Sequence, residues 1–124
     1  MIKIDGKNLT IEQVVEVAKT STKVSLAAEA VPDIQQAHEW VREISRGDKA
    51  VYGINTGFGI FSNKPISHPK IAQLNRNLIL SHAVGTGPDF SPEVTRAAIL
   101  IRGNTLANGH SGIRVAVIEN LLEL

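Results

Sequence analysis

The stretch Val51-Tyr52-Gly53-Ile54-Asn55-Thr56-Gly57-Phe58-Gly59 is the feature that most restricts the fold. Three glycines at alternate or near-alternate positions suit neither a stable helix nor a well-packed strand, because glycine gives up the most backbone freedom on ordering and has no side chain to pack. The segment is expected to be an irregular loop whose backbone approaches something closely. Regular elements must therefore flank it, and their boundaries are written in the residues on either side.

At the front, Ile2 to Asp5 reads as a short strand and Gly6-Lys7-Asn8 as a turn. Thr10 and Gln13 form a capping box, and Leu9 with Val14 the hydrophobic staple beside it, so a helix starts there with Ile11, Val14, Val15 and Ala18 on its core side. Lys23 to Leu26 is a second short strand that can pair with the first. Ile34, Ala37, Val41 and Ile44 recur at helical spacing, and Gly47 is placed for a left-handed C-cap. Pro32 either lies in the first turn of that helix or kinks a longer one beginning near Ala27, the version favoured here.

Beyond the glycine-rich loop, a helix from about Pro69 carries Ile71, Leu74 and Leu78 on one stripe. His82 continues that stripe and is expected to face the core or a pocket. Ser91-Pro92-Glu93 starts another helix, with a capping hydroxyl, a proline where no amide hydrogen is needed and an acid at the positive helix end. Its expected buried side is Val94, Ala97, Ala98, Ile101 and Thr105, and Asn108-Gly109 ends it. The last helix is expected from near Ser111, with Ile113, Val117 and Leu121 aligned. It reaches Leu124 without a stop signal, so the chain reads as interrupted. The class is mainly α with a few short β-strands, and 124 residues suit one domain.

Thirteen basic and twelve acidic residues, spread without runs, give no field that would attract nucleic acid or an anionic membrane. The absence of cysteine excludes a disulfide framework and a thiolate metal site, and points to a reducing, cytoplasmic setting. The four histidines, His38, His68, His82 and His110, are not spaced as a metal pair on one helix face, so no metal is expected.

Tyr52 stands at the entry of the loop, where a phenol could be held rigidly. Used as a base it needs its solution pKa of ~10 lowered by nearby positive charge or donors; the alternative is a packed tyrosine with a satisfied hydroxyl. The glycines lack the spacing of a P-loop or a dinucleotide turn, which makes phosphate a weak reading. Arg102, Asn104 and Arg114 lie near the turn at residues 108–112, where they could hold a carboxylate or simply tie two helices together; the structural use is the one expected.

Three motifs, in this order, resemble the histidine and phenylalanine ammonia-lyase family: residues 51–59, residues 73–85 (Gln73 to Gly85) and residues 102–114 (Arg102 to Arg114). The resemblance implies that residues 1–124 are an N-terminal domain of the L-aspartase-like, ammonia-lyase helical fold, truncated before its central helical bundle, toward which the last helix (about 111–124) runs. It implies that Tyr52 is the base removing the substrate's β-hydrogen. Gly53, Asn55, Thr56, Gly57 and Phe58 would form the loop supporting the site, and Gly59 would lie against substrate. Ser81-His82 matches the form typical of histidine-specific members, so His82 would contact the imidazole of L-histidine, the product being trans-urocanate.

The family's electrophile is a methylidene-imidazolone formed from Ala-Ser-Gly, a triplet that these residues lack; the chain alone is expected to be inactive. Other readings of the resemblance are a non-catalytic interaction or assembly module and a lyase or aminomutase of different aromatic specificity. Members are homotetramers, so self-association is expected through Val94, Ile101, Val117 and Leu121.

Overall fold

The computed structural model describes residues 1–124, which form two compact units. One comprises residues 1–39 and 89–124; the other comprises residues 40–88. No shift in composition marks this division. No helix is long and apolar enough to cross a membrane.

In the first unit, β1 (Ile2–Ile4) and β2 (Val24–Leu26) pair in parallel, Ile2 beside Val24 and Ile4 beside Leu26. Parallel partners need a long crossover, and α1 (Ile11–Thr20) supplies it. The capping box forms as read: Thr10 Oγ1 accepts from the Gln13 amide (3.3 Å), and Gln13 Oε1 accepts from the Thr10 amide (3.0 Å). The helix ends on Ser21, whose left-handed conformation (φ 55°) lets its N–H return to the Val17 carbonyl. The Arg96 guanidinium donates to the carbonyl of Ala18, satisfying another acceptor at this helix end.

The inward face of α1 differs from the expected one. Val17 and Ala18 are buried and Val14 partly so, whereas Ile11 is 79% exposed and Val15 44%. Aliphatic residues occur on both flanks of this helix, and contact with the strands and with α4 (Pro92–Ala107) decides which flank turns in.

The same correction applies to α4. Ser91 Oγ accepts from the Val94 amide (3.4 Å), as the start signal required, but the buried residues are Leu100, Gly103 and Ala107. Val94 and Ile101 are each 51% exposed, and Ala98 and Thr105 also lie outside. The small residues explain the reversal. A β-carbon on Gly103 would lie 2.9 Å from Leu122 Cδ2 and 3.4 Å from Ile4 Cδ1, so its bare backbone makes room for those side chains.

After Asn108 the chain turns through Gly109 (φ 76°) and Gly112 (φ 66°), and α5 (Val115–Leu122) begins four residues later than Ser111. Two cores result. Ile2, Ile4, Val17, Leu100 and Ala107 make one; Ala30, Ile34 and Ile118 make the other, with Leu26 and Leu122 packed against both. Asn104 ties α4 to the turn after β1 and not to a second helix, its Oδ1 accepting from the Gly6 amide (3.0 Å).

The helix α2 (Val31–Arg46) begins in the first unit and ends in the second. A 3₁₀ turn, Ala28–Ala30, precedes it and Pro32 lies in its first turn, so the longer kinked helix is not what forms. Gly47 is not left-handed: its amide donates to the Ile44 carbonyl (3.0 Å), tightening the last turn. In the first unit, His38 Nδ1 lies 2.9 Å from the Gly112 carbonyl oxygen, pinning α2 to the turn before α5.

The turn after β1 carries a pH-dependent contact. Asp5 Oδ1 accepts from the amides of Lys7 (2.8 Å) and Asn8 (2.9 Å), and the Asn8 side chain also donates to this carboxylate. The Lys7 amide first, then the two Asn8 donors, hold the Asp5 carboxyl down from 3.8 to about 2. A depressed carboxyl stabilises the fold fully above its unfolded pKa and loses that contribution as pH falls through its folded value. The turn's contribution should therefore vanish between pH about 4 and about 2. A carbon-detected NMR titration of Asp5 with a midpoint near 4 would contradict this assignment, as would acid sensitivity in that range left unchanged by Asp5→Asn.

Candidate functional site

Tyr52, residues 53–59 and His82 all lie in the second unit, on the loop after α2 or at the end of α3 (His68–His82). The loop starts with a tight turn. The Val51 carbonyl accepts from the Ile54 amide (3.1 Å) and the Asn55 amide (3.3 Å), so Tyr52 and Gly53 are its central residues. Gly53 has φ 81°, the sign that the third position of a type II turn demands, and this puts Tyr52 at the corner. Tyr52 is 62% exposed, and its ring meets Phe58 edge-on, with centroids 6.1 Å apart and planes at 74°.

Asn55 is buried beneath that corner, 2% exposed. Its Oδ1 accepts from the Val51 amide (2.8 Å), while Nδ2 donates to the carbonyls of Lys49 (2.9 Å), Gly47 (3.2 Å) and, more weakly, Ile44 (3.4 Å). This side chain thus serves the carbonyls of Gly47 and Lys49, just past α2, and more weakly that of Ile44 in its last turn. The Asn55 carbonyl accepts from the Ile66 amide (2.8 Å), the Gly57 amide donates to Lys64 (3.2 Å), and Thr56 bridges to Pro65, which closes the loop on itself. Thr56, 1% exposed, donates its hydroxyl to the Gly57 carbonyl (2.9 Å).

The expected close approach is found at Gly57, where a β-carbon would lie 2.7 Å from Phe61 Cβ. Phe61 belongs to a 3₁₀ turn, Gly59–Phe61, that folds back over the loop. Gly53 and Gly59 are different: both are left-handed and exposed, with open space where a side chain would start.

His82 does not face a core or a pocket. Ile71, Leu74 and Leu78 form the half-buried stripe as read, but the stripe ends there and His82 is exposed in the last turn of α3. Its Nδ1 lies 2.9 Å from the Leu78 carbonyl oxygen and 3.0 Å from Ser81 Oγ, and the Ser81 hydroxyl itself donates to Leu78 (2.9 Å). A carbonyl oxygen at that distance requires a proton on Nδ1, so the neutral ring keeps its lone pair at Nε2. Beside it, Ile79 and Leu80 are each 66% exposed, an apolar surface signalled only by the unbroken run Leu78-Ile79-Leu80, which cannot share one helix face.

A cavity of about 500 Å³ lies in the first unit, lined by Val17, Lys23, Arg96, Leu100 and Leu122 among others; it contains none of the loop residues and not His82. The candidate site is thus a constrained surface loop and a helix end, with its reactive groups facing outward.

Comparison with known proteins follows the same residues. A family model described as aromatic amino acid lyase matches residues 9–124. Over 121 residues the chain is 41% identical to a histidine ammonia-lyase of Clostridium tetani, covering 98% of this chain and 24% of that protein. Among solved structures, tyrosine aminomutase from Streptomyces globisporus superposes with a TM-score of 0.91 at 34% identity, over 98% of this chain and 23% of that one. Histidine ammonia-lyase from Trypanosoma cruzi superposes at 0.87 and 32% identity, with coverages of 98% and 23%. The mainly helical fold with two short strands is theirs, and the chain spans about a quarter of the length of these relatives. The chain belongs to the aromatic amino acid lyase family.

Proposed function

We propose that these residues are the base-bearing part of a histidine ammonia-lyase, which eliminates ammonia from L-histidine to give trans-urocanate. The observation that carries the reading is the 41% identity to the Clostridium tetani histidine ammonia-lyase across 98% of the chain. The geometry at His82 supports it. With Nδ1–H committed to the Leu78 carbonyl, Nε2 is an acceptor, and the imidazole N–H of histidine is the donor that fits it.

Tyr52, at the corner of an anchored turn, takes the β-hydrogen, and the loop from Gly53 to Gly59 surrounds the substrate. Ammonia is a poor leaving group from an unactivated amino acid, and in this family the activating electrophile is a methylidene-imidazolone made from Ala-Ser-Gly. No such triplet occurs among the 124 residues, which therefore do not fit that group. Their contribution is the base and the imidazole contact, and on their own they form no urocanate.

The likeness to tyrosine aminomutase, TM-score 0.91 at 34% identity, favours a second reading, an aminomutase of other aromatic specificity. The Ser81-His82 pair, the form typical of histidine-specific members, argues against it; the acceptor at Nε2 does not decide the matter, since a tyrosine hydroxyl can also donate to it. Products separate the two: ammonia with an unsaturated acid in one case, a β-amino acid in the other.

In a full-length lyase carrying this segment, Tyr52→Phe keeps the ring and removes the base, and positioned bases contribute ~10²–10⁴-fold. The loss should fall on kcat, with KM little changed; unchanged kcat would remove Tyr52 from the chemistry. His82→Leu should lower the ratio of kcat/KM for histidine over phenylalanine by ~10²-fold or more, because an imidazole N–H is then left unpaired. An unaltered ratio would show that His82 is not the selector.

Self-association is part of the same proposal. Val94 and Ile101 are half exposed on α4, and Val117 and Leu121 are partly exposed on α5, so an apolar surface is open to a second copy. Light scattering on the 124-residue chain should give a mass above that of one copy, and Val94→Lys with Ile101→Lys should reduce it. A single-copy mass at high concentration would refute this.

A further inference from the structure

We infer that Asn55 is the positioning residue for Tyr52, an inference that rests on the reading of Tyr52 as the base. The tyrosine, 62% exposed, is poorly held by its own ring, which meets Phe58 only edge-on. Its backbone is held by three hydrogen bonds at Val51; one comes from the Ile54 amide, and the other two are made with Asn55. The Val51 amide before Tyr52 donates to Asn55 Oδ1 (2.8 Å), and the Val51 carbonyl accepts from the Asn55 amide (3.3 Å).

The other end of the same carboxamide grips the helix. The two hydrogens on Nδ2 are shared among the carbonyls of Lys49, Gly47 and Ile44, at 2.9, 3.2 and 3.4 Å. One buried side chain therefore fixes the corner bearing the phenol to the end of a 16-residue helix. Only a group with an acceptor on one atom and two donors on the next serves both sides. Aspartate keeps the size and the acceptor for Val51, but sets a second oxygen against three carbonyl oxygens. With 2% exposure, water cannot relieve that repulsion, and the turn must move.

A catalytic group displaced by about 1 Å can cost about 10²-fold in rate. The test is a double-mutant cycle in a full-length lyase carrying this segment, with Asn55→Asp, Tyr52→Phe and the pair. The rate is expressed per intact electrophile, counted by methylidene-imidazolone absorbance. Asn55→Asp should lower kcat by about 10²-fold with KM little changed, and in the Tyr52→Phe background it should lower kcat no further. An equal further loss in both backgrounds would make Asn55 a structural residue only and overturn the inference. So would a fall in electrophile content with kcat per site unchanged.

The two readings fail separately. Wild-type kcat in Tyr52→Phe removes the base itself, whereas loss in Tyr52→Phe with wild-type kcat in Asn55→Asp removes only the role of Asn55. If Asn55→Asp does not fold, Asn55→Ser, which keeps one hydroxyl donor, enters the same cycle. In the unsubstituted chain the Val51 amide should exchange with solvent as slowly as the Ile66 amide, and rapid exchange at Val51 would overturn the anchoring.

Discussion

A polar group taken out of water must find partners inside the protein, and in the second unit one buried carboxamide meets that demand for several backbone groups at once. The chain leaving α2 has carbonyls without helical partners, and the loop that follows leaves the Val51 amide without one. Asn55 joins these complementary deficits, and the loop's conformation follows from that match. Each buried group left unpaired would cost about 1–3 kcal/mol, so removing the side chain disturbs both partners together. Irregular backbone can pack inward here because its hydrogen bonds are closed by a side chain in place of a sheet. The short hydrogen bonds between residues 55 and 66 then fold the rest of the loop onto this anchor.

The first unit solves the same problem by other means. Two strands of three residues cannot stand alone, and neither can the helix that links them. Their stability comes from side chains that connect separate parts of the sequence. Ile4, fully buried, meets α4 at Gly103, and Leu122 from the last helix fills the adjacent space. Residues nearly a hundred positions apart therefore have to be present together. Apolar packing, unlike the Asn55 arrangement, leaves spare hydrophobic surface outside, and Val94 and Ile101 remain there because small residues have taken the inner face.

These two kinds of interaction explain which features could be read from the residues. Helix starts were legible at Thr10 and Ser91 because a cap is satisfied within four residues and needs nothing distant. The irregular loop was legible too, since three glycines exclude regular structure whatever surrounds them. Helix faces were not: in α1 and α4 apolar residues occupy more than one side, and the choice is made by Ile4, Leu122 and the strands, far away in sequence. The end of α2 was misread at Gly47 for a similar reason: its amide tightens the last turn onto the Ile44 carbonyl, and its own carbonyl is bonded by a side chain eight residues on. His82 was placed inward on the strength of a stripe that stops at Leu78. Asn55 was named as part of the loop, yet its bonds depend on where α2 ends and could not be drawn beforehand.

For the proposed chemistry, the exposure of Tyr52 and His82 separates two requirements that an active site usually meets together. One is position, the other a surrounding that excludes water. Position is built within this segment: the phenol sits on a turn bonded at both ends, and the imidazole is fixed by Nδ1 against its own helix. Exclusion of water is not, because both residues are exposed. Electrostatic interactions strengthen when water leaves, so a base and a hydrogen-bond acceptor aimed outward reach their full effect only against a surface that covers them. A segment of this design has to be stiff before it is covered. The turn bearing Tyr52 is held from beneath by the buried Asn55, and His82 by the Leu78 carbonyl one turn back on its own helix.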